Sequence, residues 1–130
     1  FSLDISGVVA LDLGASTGGF TDAMLQRGAT RVYAVDVGTN QIHYRLRTDK
    51  RVVVMEQTHA NDLVPEMFSP RPQFGTVDVS FIGVRKILPP ILLVLVPPWQ
   101  MLILVKPQFE LGPERVGKGE VVESKTDQLL

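Results

Sequence analysis

The clearest chemical signal in the chain is a glycine-rich segment, DLGASTGGF, at residues 12–20. It follows a short apolar run, which predicts a buried strand, a tight turn and then a helix. Gly14, Gly18 and Gly19 would let the backbone of that turn approach a ligand closely. On its own, the turn fits either a ligand site or a simple tight connection.

Ser16 indicates which kind of ligand this turn could hold. A dinucleotide-binding turn has the pattern G-x-G-x-x-G, and its second glycine makes room for a pyrophosphate. Ser16 stands at that position here, which disfavours NAD and favours an adenosine cofactor without phosphates. S-adenosylmethionine is such a cofactor. A nicotinamide-dependent oxidoreductase domain is the less favoured alternative.

Acidic residues near the turn and beyond it could contact the rest of such a cofactor. Asp12 could bind the methionine ammonium group, and Asp36 lies about 20 residues further on, where an acid accepts ribose hydroxyl groups. Asn61 and Asp62 follow the third predicted strand and could hydrogen-bond the adenine amino group. Each acid also has a structural alternative, since Asp12 could cap the buried turn and Asp36 could form an Asx-turn. We predict cofactor contacts at these residues: Asp12, Gly14, Ala15, Ser16, Thr17, Gly18, Phe20, Thr21, Asp36, Val37, Asn61, Asp62 and Asp78.

Asp78 and Lys106 end the fourth and fifth predicted strands and form the candidate catalytic pair. A lysine can hold an attacking hydroxyl in line or lower its pKa, and an aspartate can fix the lysine. Such a pair suits methyl transfer, an in-line displacement in which placement and electrostatics supply most of the catalysis. A structural salt bridge that caps the two strands is the alternative interpretation.

The elements that must position these residues alternate along the chain. The patterns predict strands at residues 8–13, 31–35, 52–56, 76–81 and 101–106, and helices at residues 20–27, 40–47 and 84–96. This alternation predicts an α/β, Rossmann-like, doubly wound and mostly parallel sheet. Ligands of such sheets bind beyond the carboxyl ends of the strands. We also predict that Asn40 caps the second helix, that Gly28 ends the first, and that residues 112–119 form a mobile loop.

The composition fits one globular domain without cysteine chemistry or a metal site. The chain has 130 residues, of which 45% are hydrophobic and 21% charged, enough for a single core. It contains no cysteine and two histidines, so we predict no disulfide, no thiolate site and no metal site. Prolines interrupt the apolar stretch at residues 87–105, so no membrane span is predicted. We expect a cytoplasmic protein without a membrane partner.

The net charge of −1 leaves any nucleic-acid binding to a local basic patch. The candidate patch is the stretch that contains His43, Arg45, Arg47, Lys50 and Arg51. It could contact RNA phosphates, or it could be a solvated helix face. The sequence leaves both interpretations open.

Four motifs resemble, in order, those of one known family. They are DLGASTGGFTD at residues 12–22, VDVG at 35–38, DVSFI at 78–82 and LVKPQFE at 104–110. Over nearly its whole length, the chain resembles the TlyA-type hemolysin family of FtsJ-like ribosomal RNA methyltransferases. The resemblance implies methyl transfer from S-adenosylmethionine to a ribose 2′-hydroxyl of ribosomal RNA. It also implies ribosomal RNA or a ribosomal subunit as the partner.

The catalytic Lys-Asp-Lys-Glu set of that family maps onto this chain in part. Its Asp matches Asp78 and its second Lys matches Lys106. Its first Lys would precede Phe1, and its Glu would follow Leu130. The resemblance therefore implies that residues 1–130 are a partial FtsJ-like methyltransferase domain, without the family's N-terminal RNA-binding domain and C-terminal strands.

Two departures from the family set this chain apart. The segment FGTV at residues 74–77 is shorter than the family's apolar strand before Asp78, which predicts a truncated strand or missing residues near Gly75. The five predicted strands also fall short of the seven in the family. Both departures predict a truncated core with weak cofactor binding and little or no catalysis. The alternative function is a non-enzymatic, hemolysin or toxin-like interaction protein, which the family name suggests.

Overall fold

The computed structural model describes residues 4–106 and 120–125 of the 130-residue chain. The strands are β1 (Val9–Leu13), β2 (Arg31–Val35), β3 (Val52–Met55), β4 (Phe74–Ser80), β5 (Gln100–Lys106) and β6 (Glu120–Lys125). The helices are α1 (Gly19–Gln26), α2 (Tyr44–Arg47) and α3 (Phe81–Val94). Two 3₁₀ turns, Ala60–Asp62 and Pro65–Met67, lie between β3 and β4.

The strands of the described residues form one sheet in the order β3-β2-β1-β4-β5-β6. Strands β1 to β5 are parallel, and β6 pairs with β5 in the antiparallel direction. The predicted α/β class and the mostly parallel, doubly wound sheet are thus confirmed. The chain runs from β1 outward to β3 on one side and returns to β4 on the other. This reversal is a topological switch point, where open α/β sheets bind ligands.

Both faces of the sheet carry a packed apolar layer. Leu11 and Leu13 of β1 join the layer that contains α3, whereas Ala10 joins the layer that contains Met24 of α1 and Leu46 of α2. Successive residues of a strand point to opposite faces. Asp12 therefore belongs to the face covered by α1, among side chains that exclude water.

Strand β4 begins two residues earlier than the predicted fourth strand. It starts at Phe74 rather than at Thr76 and pairs with β1 on one side and β5 on the other. A glycine such as Gly75 weakens an isolated strand, which is why the pattern FGTV predicted a late start. Pairing on both sides compensates for that weakness, and the strand is continuous through Gly75.

Helix α2 is shorter than predicted, and its cap is a different residue. The helix begins at Tyr44, and the Nδ1 atom of His43 accepts the Arg45 N–H at 3.2 Å. Asn40, the predicted cap, has φ 54, in the left-handed region that asparagine tolerates better than most residues. The prediction of a cap at Asn40 is wrong because this conformation places it in a loop that leads to the helix.

The remaining elements differ from the predictions mainly at their boundaries. Helix α3 begins at Phe81 and continues through Pro89 and Pro90 to Val94. Gly28 follows the last turn of α1 with φ 96, as expected of a glycine that ends a helix. Strand β6 was not predicted. The predicted mobile loop at residues 112–119 lies outside the described residues.

Candidate functional site

The glycine-rich turn follows the end of β1 at the switch point and is hydrogen-bonded to the end of β2. The backbone N–H groups of Gly14 and Ala15 both donate to the Val35 carbonyl, at 2.9 and 3.0 Å. Gly14 has φ 78 and Gly18 has φ 104, backbone conformations that residues other than glycine rarely adopt. The turn therefore requires glycine at these positions for its shape, as well as for any ligand.

Gly18 is also fixed by its surroundings. A Cβ atom at Gly18 would collide with the Leu46 side chain of α2. The neighbouring Thr17 carbonyl accepts the His43 N–H at 3.0 Å. This hydrogen bond fixes the position of the turn relative to the start of α2. Gly18 is buried and serves this packing contact rather than a ligand-facing surface.

Two cavities meet at Gly14, which lines both of them. The first cavity has a volume of about 160 Å³ and is lined by Leu13, Gly14, Val35, Asp36, Val37, Thr58, His59, Ala60 and Ile87. The second has a volume of about 460 Å³ and is lined by Gly14, Ala15, Ser16, Thr17, Gly19, Phe20, Ala23, Asp78 and Leu104. A Cβ atom at Gly14 would lie 3.5 Å from the Asp78 carbonyl oxygen, so the turn passes close to β4 at the boundary.

Asp36 lines the first cavity and also organises its own loop. One of its carboxylate oxygens accepts the Gly38 N–H at 3.2 Å, and its carbonyl accepts the Thr58 N–H at 3.0 Å. The first bond is of the Asx type, so the structural interpretation of Asp36 holds together with its place in the cavity wall. Val37 is 66% exposed and supplies an apolar surface at the same wall.

Asn61 and Asp62 lie in the first 3₁₀ turn, and both are exposed. Neither lines the first cavity, whose wall after β3 is formed by Thr58, His59 and Ala60 instead. His59 accepts the Asn61 N–H on its Nδ1 atom at 3.2 Å and thereby caps this turn. The sequence analysis missed Thr58 and His59, although their position directly after the third strand was a usable signal.

Asp12 lies beneath the turn and is 1% exposed. Its two carboxylate oxygens accept hydrogen bonds from the hydroxyl groups of Thr21, at 2.7 Å, and Thr76, at 3.0 Å. Burial raises the pKa of Asp12, the threonine hydrogen bonds act in the opposite direction, and the negative charge of Asp78 adds to the rise. This arrangement matches the alternative interpretation of Asp12 as a buried turn cap.

The predicted cofactor residues thus separate into two groups. Eight of them line one or both cavities: Gly14, Ala15, Ser16, Thr17, Phe20, Asp36, Val37 and Asp78. The others do not line these cavities: Asp12, Gly18, Thr21, Asn61 and Asp62. Asp12 and Thr21 are buried against each other, which leaves almost no surface for a ligand.

The candidate catalytic pair sits where β4 and β5 end together. In the strand register, Asp78 is opposite Leu104 and Ser80 is opposite Lys106. Asp78 and Leu104 both line the second cavity. The side chain of Lys106 lies outside the described part of the structure, so its contact with Asp78 stays a prediction.

The arginines of the basic stretch form ion pairs with neighbouring acids. Their shortest N–O distances are 3.2 Å for Arg45 to Asp22, 2.8 Å for Arg47 to Glu56 and 2.8 Å for Arg51 to Asp49. The Arg51 hydrogen bonds lower the pKa of Asp49 to about 2. This pairing gives the stretch a structural role, and RNA contact by it stays a prediction.

Within residues 4–106 and 120–125, no group of three or more His, Asp or Glu side chains could hold a metal ion. Over the same residues, no helix has both the length and the apolar character needed to cross a membrane.

Known proteins share both the sequence and the fold of this chain. The 16S/23S rRNA (cytidine-2′-O)-methyltransferase TlyA of Mycobacterium tuberculosis is 45% identical over 122 residues, which cover 94% of this chain and 46% of that protein. The solved structure of a candidate hemolysin from Lactococcus lactis is 52% identical, with a TM-score of 0.78 over 88% of this chain and 56% of the other. An S-adenosylmethionine-dependent methyltransferase from Mesorhizobium loti shares the fold alone, with 14% identity and a TM-score of 0.68 over 99% of this chain and 62% of that one.

The resemblance predicted from the four motifs is confirmed, although the chain spans only about half the length of its close relatives. A family-wide sequence profile, described as FtsJ-like methyltransferase, matches residues 1–128. The chain belongs to the FtsJ-like methyltransferase family.

Proposed function

We propose that the chain is the cofactor-binding core of an S-adenosylmethionine-dependent methyltransferase that acts on a ribose 2′-hydroxyl of ribosomal RNA. The observation that carries the proposal is the pair of cavities that meet at Gly14, each with one carboxylate in its wall. Asp36 belongs to the first cavity and Asp78 to the second.

The lining of the first cavity fits an adenosine group. Leu13, Val35 and Ile87 give it apolar walls, and the Asp36 carboxylate can accept hydrogen bonds from ribose hydroxyl groups. The exposed Val37 side chain adds a surface against which a planar base can pack. We assign the base contacts to the segment that contains Thr58 and His59 rather than to Asn61 and Asp62.

The lining of the second cavity fits the methionine part of the same cofactor. The turn residues Ala15 to Thr17 form one wall, and Asp78 is an ionisable residue of the lining. Ser16 of this wall stands where a dinucleotide-binding turn has its second glycine. This residue favours S-adenosylmethionine over a dinucleotide.

We assign the acceptor of the reaction to the second cavity. S-adenosylmethionine supplies an electrophilic methyl group when it is bound. Lys106 holds the acceptor hydroxyl in line or lowers its pKa, and Asp78 orients the lysine. The acceptor oxygen would bond to the methyl carbon as the carbon–sulfur bond breaks, S-adenosylhomocysteine would leave, and the hydroxyl proton would pass to water. The work of this chain is to position the reactants and to stabilise charge.

Ribosomal RNA as the substrate rests on the relatives. The Mycobacterium tuberculosis relative is named as a 16S/23S rRNA 2′-O-methyltransferase. Membership of the FtsJ-like methyltransferase family, together with the resemblance of the motifs at Asp78 and Lys106 to that family's motifs, supports the same substrate class here. Such an activity would place the protein with ribosomes in the cytoplasm.

A transfer assay on the full-length protein, with methyl-labelled S-adenosylmethionine and ribosomal subunits, tests the catalytic half of the proposal. Label should appear on a ribose 2′-oxygen of ribosomal RNA. Lys106→Ala should lower the rate by about a hundredfold or more, since it removes a positioned acid–base group. Lys125→Ala, at the end of β6, is the matched control and should keep the parent rate. Equal rates for the parent and Lys106→Ala would show that Lys106 is not catalytic.

A further inference from the structure

Three buried polar side chains meet beneath the glycine-rich turn, and each comes from a different element. Asp12 of β1 is 1% exposed, Thr21 of α1 is 0% exposed and Thr76 of β4 is 2% exposed. A buried polar group is costly unless it is hydrogen-bonded, and a buried carboxylate more so. The hydrogen bonds within the cluster must therefore offset the free-energy cost of burying these polar groups.

The two threonine hydroxyl groups each donate a hydrogen bond to a different oxygen of the Asp12 carboxylate. Thr21 Oγ1 donates to Asp12 Oδ2 at 2.7 Å, and Thr76 Oγ1 donates to Asp12 Oδ1 at 3.0 Å. Thr76 is directly opposite Asp12 in the register of β1 and β4. Each oxygen of Asp12 is thus held by the protein itself.

The bond between Asp12 and Thr21 closes the base of the turn. The chain leaves β1 just after Asp12 and returns with Thr21 in the first turn of α1, so the cavity-lining residues 14–17 lie between them. Gly18, the cap of α1, has no side chain to satisfy the exposed N–H groups of the helix. Asp12 instead accepts the Thr21 hydroxyl in the first turn of the helix, next to the positive end of the helix dipole.

The bond between Asp12 and Thr76 connects the turn to the strand that carries Asp78. Thr76 and Asp78 are alternate residues of β4, and Asp78 lines the second cavity beside the turn. The cluster therefore joins two walls of that cavity, one from the turn and one from β4.

We propose that Asp12, Thr21 and Thr76 are positioning residues that fix the glycine-rich turn relative to Asp78, and that Asp12 and Thr21 act without touching the cofactor. This inference rests on the proposed function, because the turn is taken to hold S-adenosylmethionine. It replaces the predicted ammonium contact of Asp12 with an indirect role through residues 14–17.

Substitutions that remove the threonine hydroxyl groups but keep the shape of the side chain test the inference. Thr21→Val and Thr76→Val remove one donor each, whereas Thr21→Ser and Thr76→Ser keep it, and Thr30→Val removes an exposed hydroxyl remote from the turn. Amide hydrogen exchange is measured without cofactor. In the Val variants, the amides of residues 14–20 should exchange about tenfold faster or more, while those of β2 stay unchanged. The Ser variants and Thr30→Val should match the parent.

Cofactor binding supplies the second readout. The dissociation constant for S-adenosylmethionine should rise about tenfold or more in each Val variant and should recover in the matching Ser variant. Asp12→Asn, which keeps one acceptor oxygen, should give intermediate exchange in the turn. It serves as the test if a Val variant does not fold.

The results that overturn the inference differ from those that overturn the proposed function. Parent-like exchange of the turn in the Val variants and in Asp12→Asn would overturn it, as would equal acceleration in the turn and in β2. Altered exchange with unchanged cofactor affinity would overturn the link to binding. A parent chain that does not bind S-adenosylmethionine would contradict the proposed function, and the exchange data would still decide whether the cluster positions the turn.

Discussion

Asp12 and Asp36 show how two acids near the ends of adjacent strands acquire different roles. Asp12 points into the layer under α1, where threonine hydroxyl groups surround it. Asp36 follows β2 and lines an open cavity, with one oxygen on the Gly38 N–H. The sequence predicted both as cofactor ligands because it shows residue type and spacing but not the direction of a side chain.

Asp36→Ala should weaken S-adenosylmethionine binding by about ten- to a hundredfold. The reason is the loss of hydrogen bonds between ribose hydroxyl groups and a charged acceptor, which are worth about 1.5–3 kcal/mol. Isothermal titration calorimetry measures the affinity. Glu66→Ala, an exposed acid in the second 3₁₀ turn, is the control and should bind like the parent. Unchanged affinity of Asp36→Ala would remove Asp36 from the ribose site.

Asp12→Asn should become more stable relative to the parent as the pH rises. The folded-state pKa of Asp12 is raised by burial, so the folded chain holds this proton more tightly than the unfolded chain does. The stability linked to that proton is complete below the ordinary aspartate pKa of 3.8 and is lost as the pH rises through the raised pKa. Asparagine does not titrate and avoids this loss.

The difference in melting temperature between Asp12→Asn and the parent provides the check. The melting temperature of the variant minus that of the parent should be larger at pH 7 than at pH 4. Other groups titrate alike in both proteins and cancel. A difference that moves the opposite way would show that the folded state favours the ionised form of Asp12.

At the scale of elements, the glycine-rich turn, α1 and α2 support one another. Leu46 packs on Gly18, the Thr17 carbonyl accepts the His43 N–H, and Arg45 pairs with Asp22 of α1. Arg45 lowers the pKa of Asp22, mainly through their hydrogen bond. A helix as short as α2 is not stable alone, so its place depends on these contacts.

Gly18→Ala should destabilise the fold by about 2 kcal/mol or more. Alanine at φ 104 carries backbone strain of about 1–3 kcal/mol, and its Cβ would collide with Leu46. Gly19→Ala is the matched control. Nothing lies within 4 Å of a Cβ at Gly19, so alanine there should be neutral or stabilising by up to about 1 kcal/mol. Urea unfolding measures both, and equal stability of the two variants would contradict the assigned role of Gly18.

The sequence predicted the positions of strands β1 to β5 along the chain and the position of the turn, because buried parallel strands leave continuous apolar runs such as residues 9–11 and 101–105. It placed the start of β4 at Thr76 instead of Phe74 and the cap of α2 at Asn40. Both depend on contacts with other strands or loops, namely the pairing of β4 on two sides and the acceptance of the Gln41 N–H by Glu56 at 2.8 Å. Local patterns do not contain such contacts.

At the scale of the whole molecule, the topology explains why distant residues form one site. The reversal at β1 brings the turn after Leu13 next to Asp78, and the pairing of β4 with β5 aligns Ser80 with Lys106. The predicted cavity residues Gly14, Asp36 and Asp78 follow from the strand ends alone. The antiparallel β6 could not be predicted, because its short polar sequence, EVVESK, becomes a strand through pairing with β5.

Calorimetric titration of the chain with S-adenosylmethionine and, separately, with NAD tests the central claim most directly. The account predicts saturable binding of S-adenosylmethionine and none of NAD at the same concentrations, because Ser16 replaces the glycine that makes room for a pyrophosphate. Saturable binding of NAD without binding of S-adenosylmethionine would contradict it.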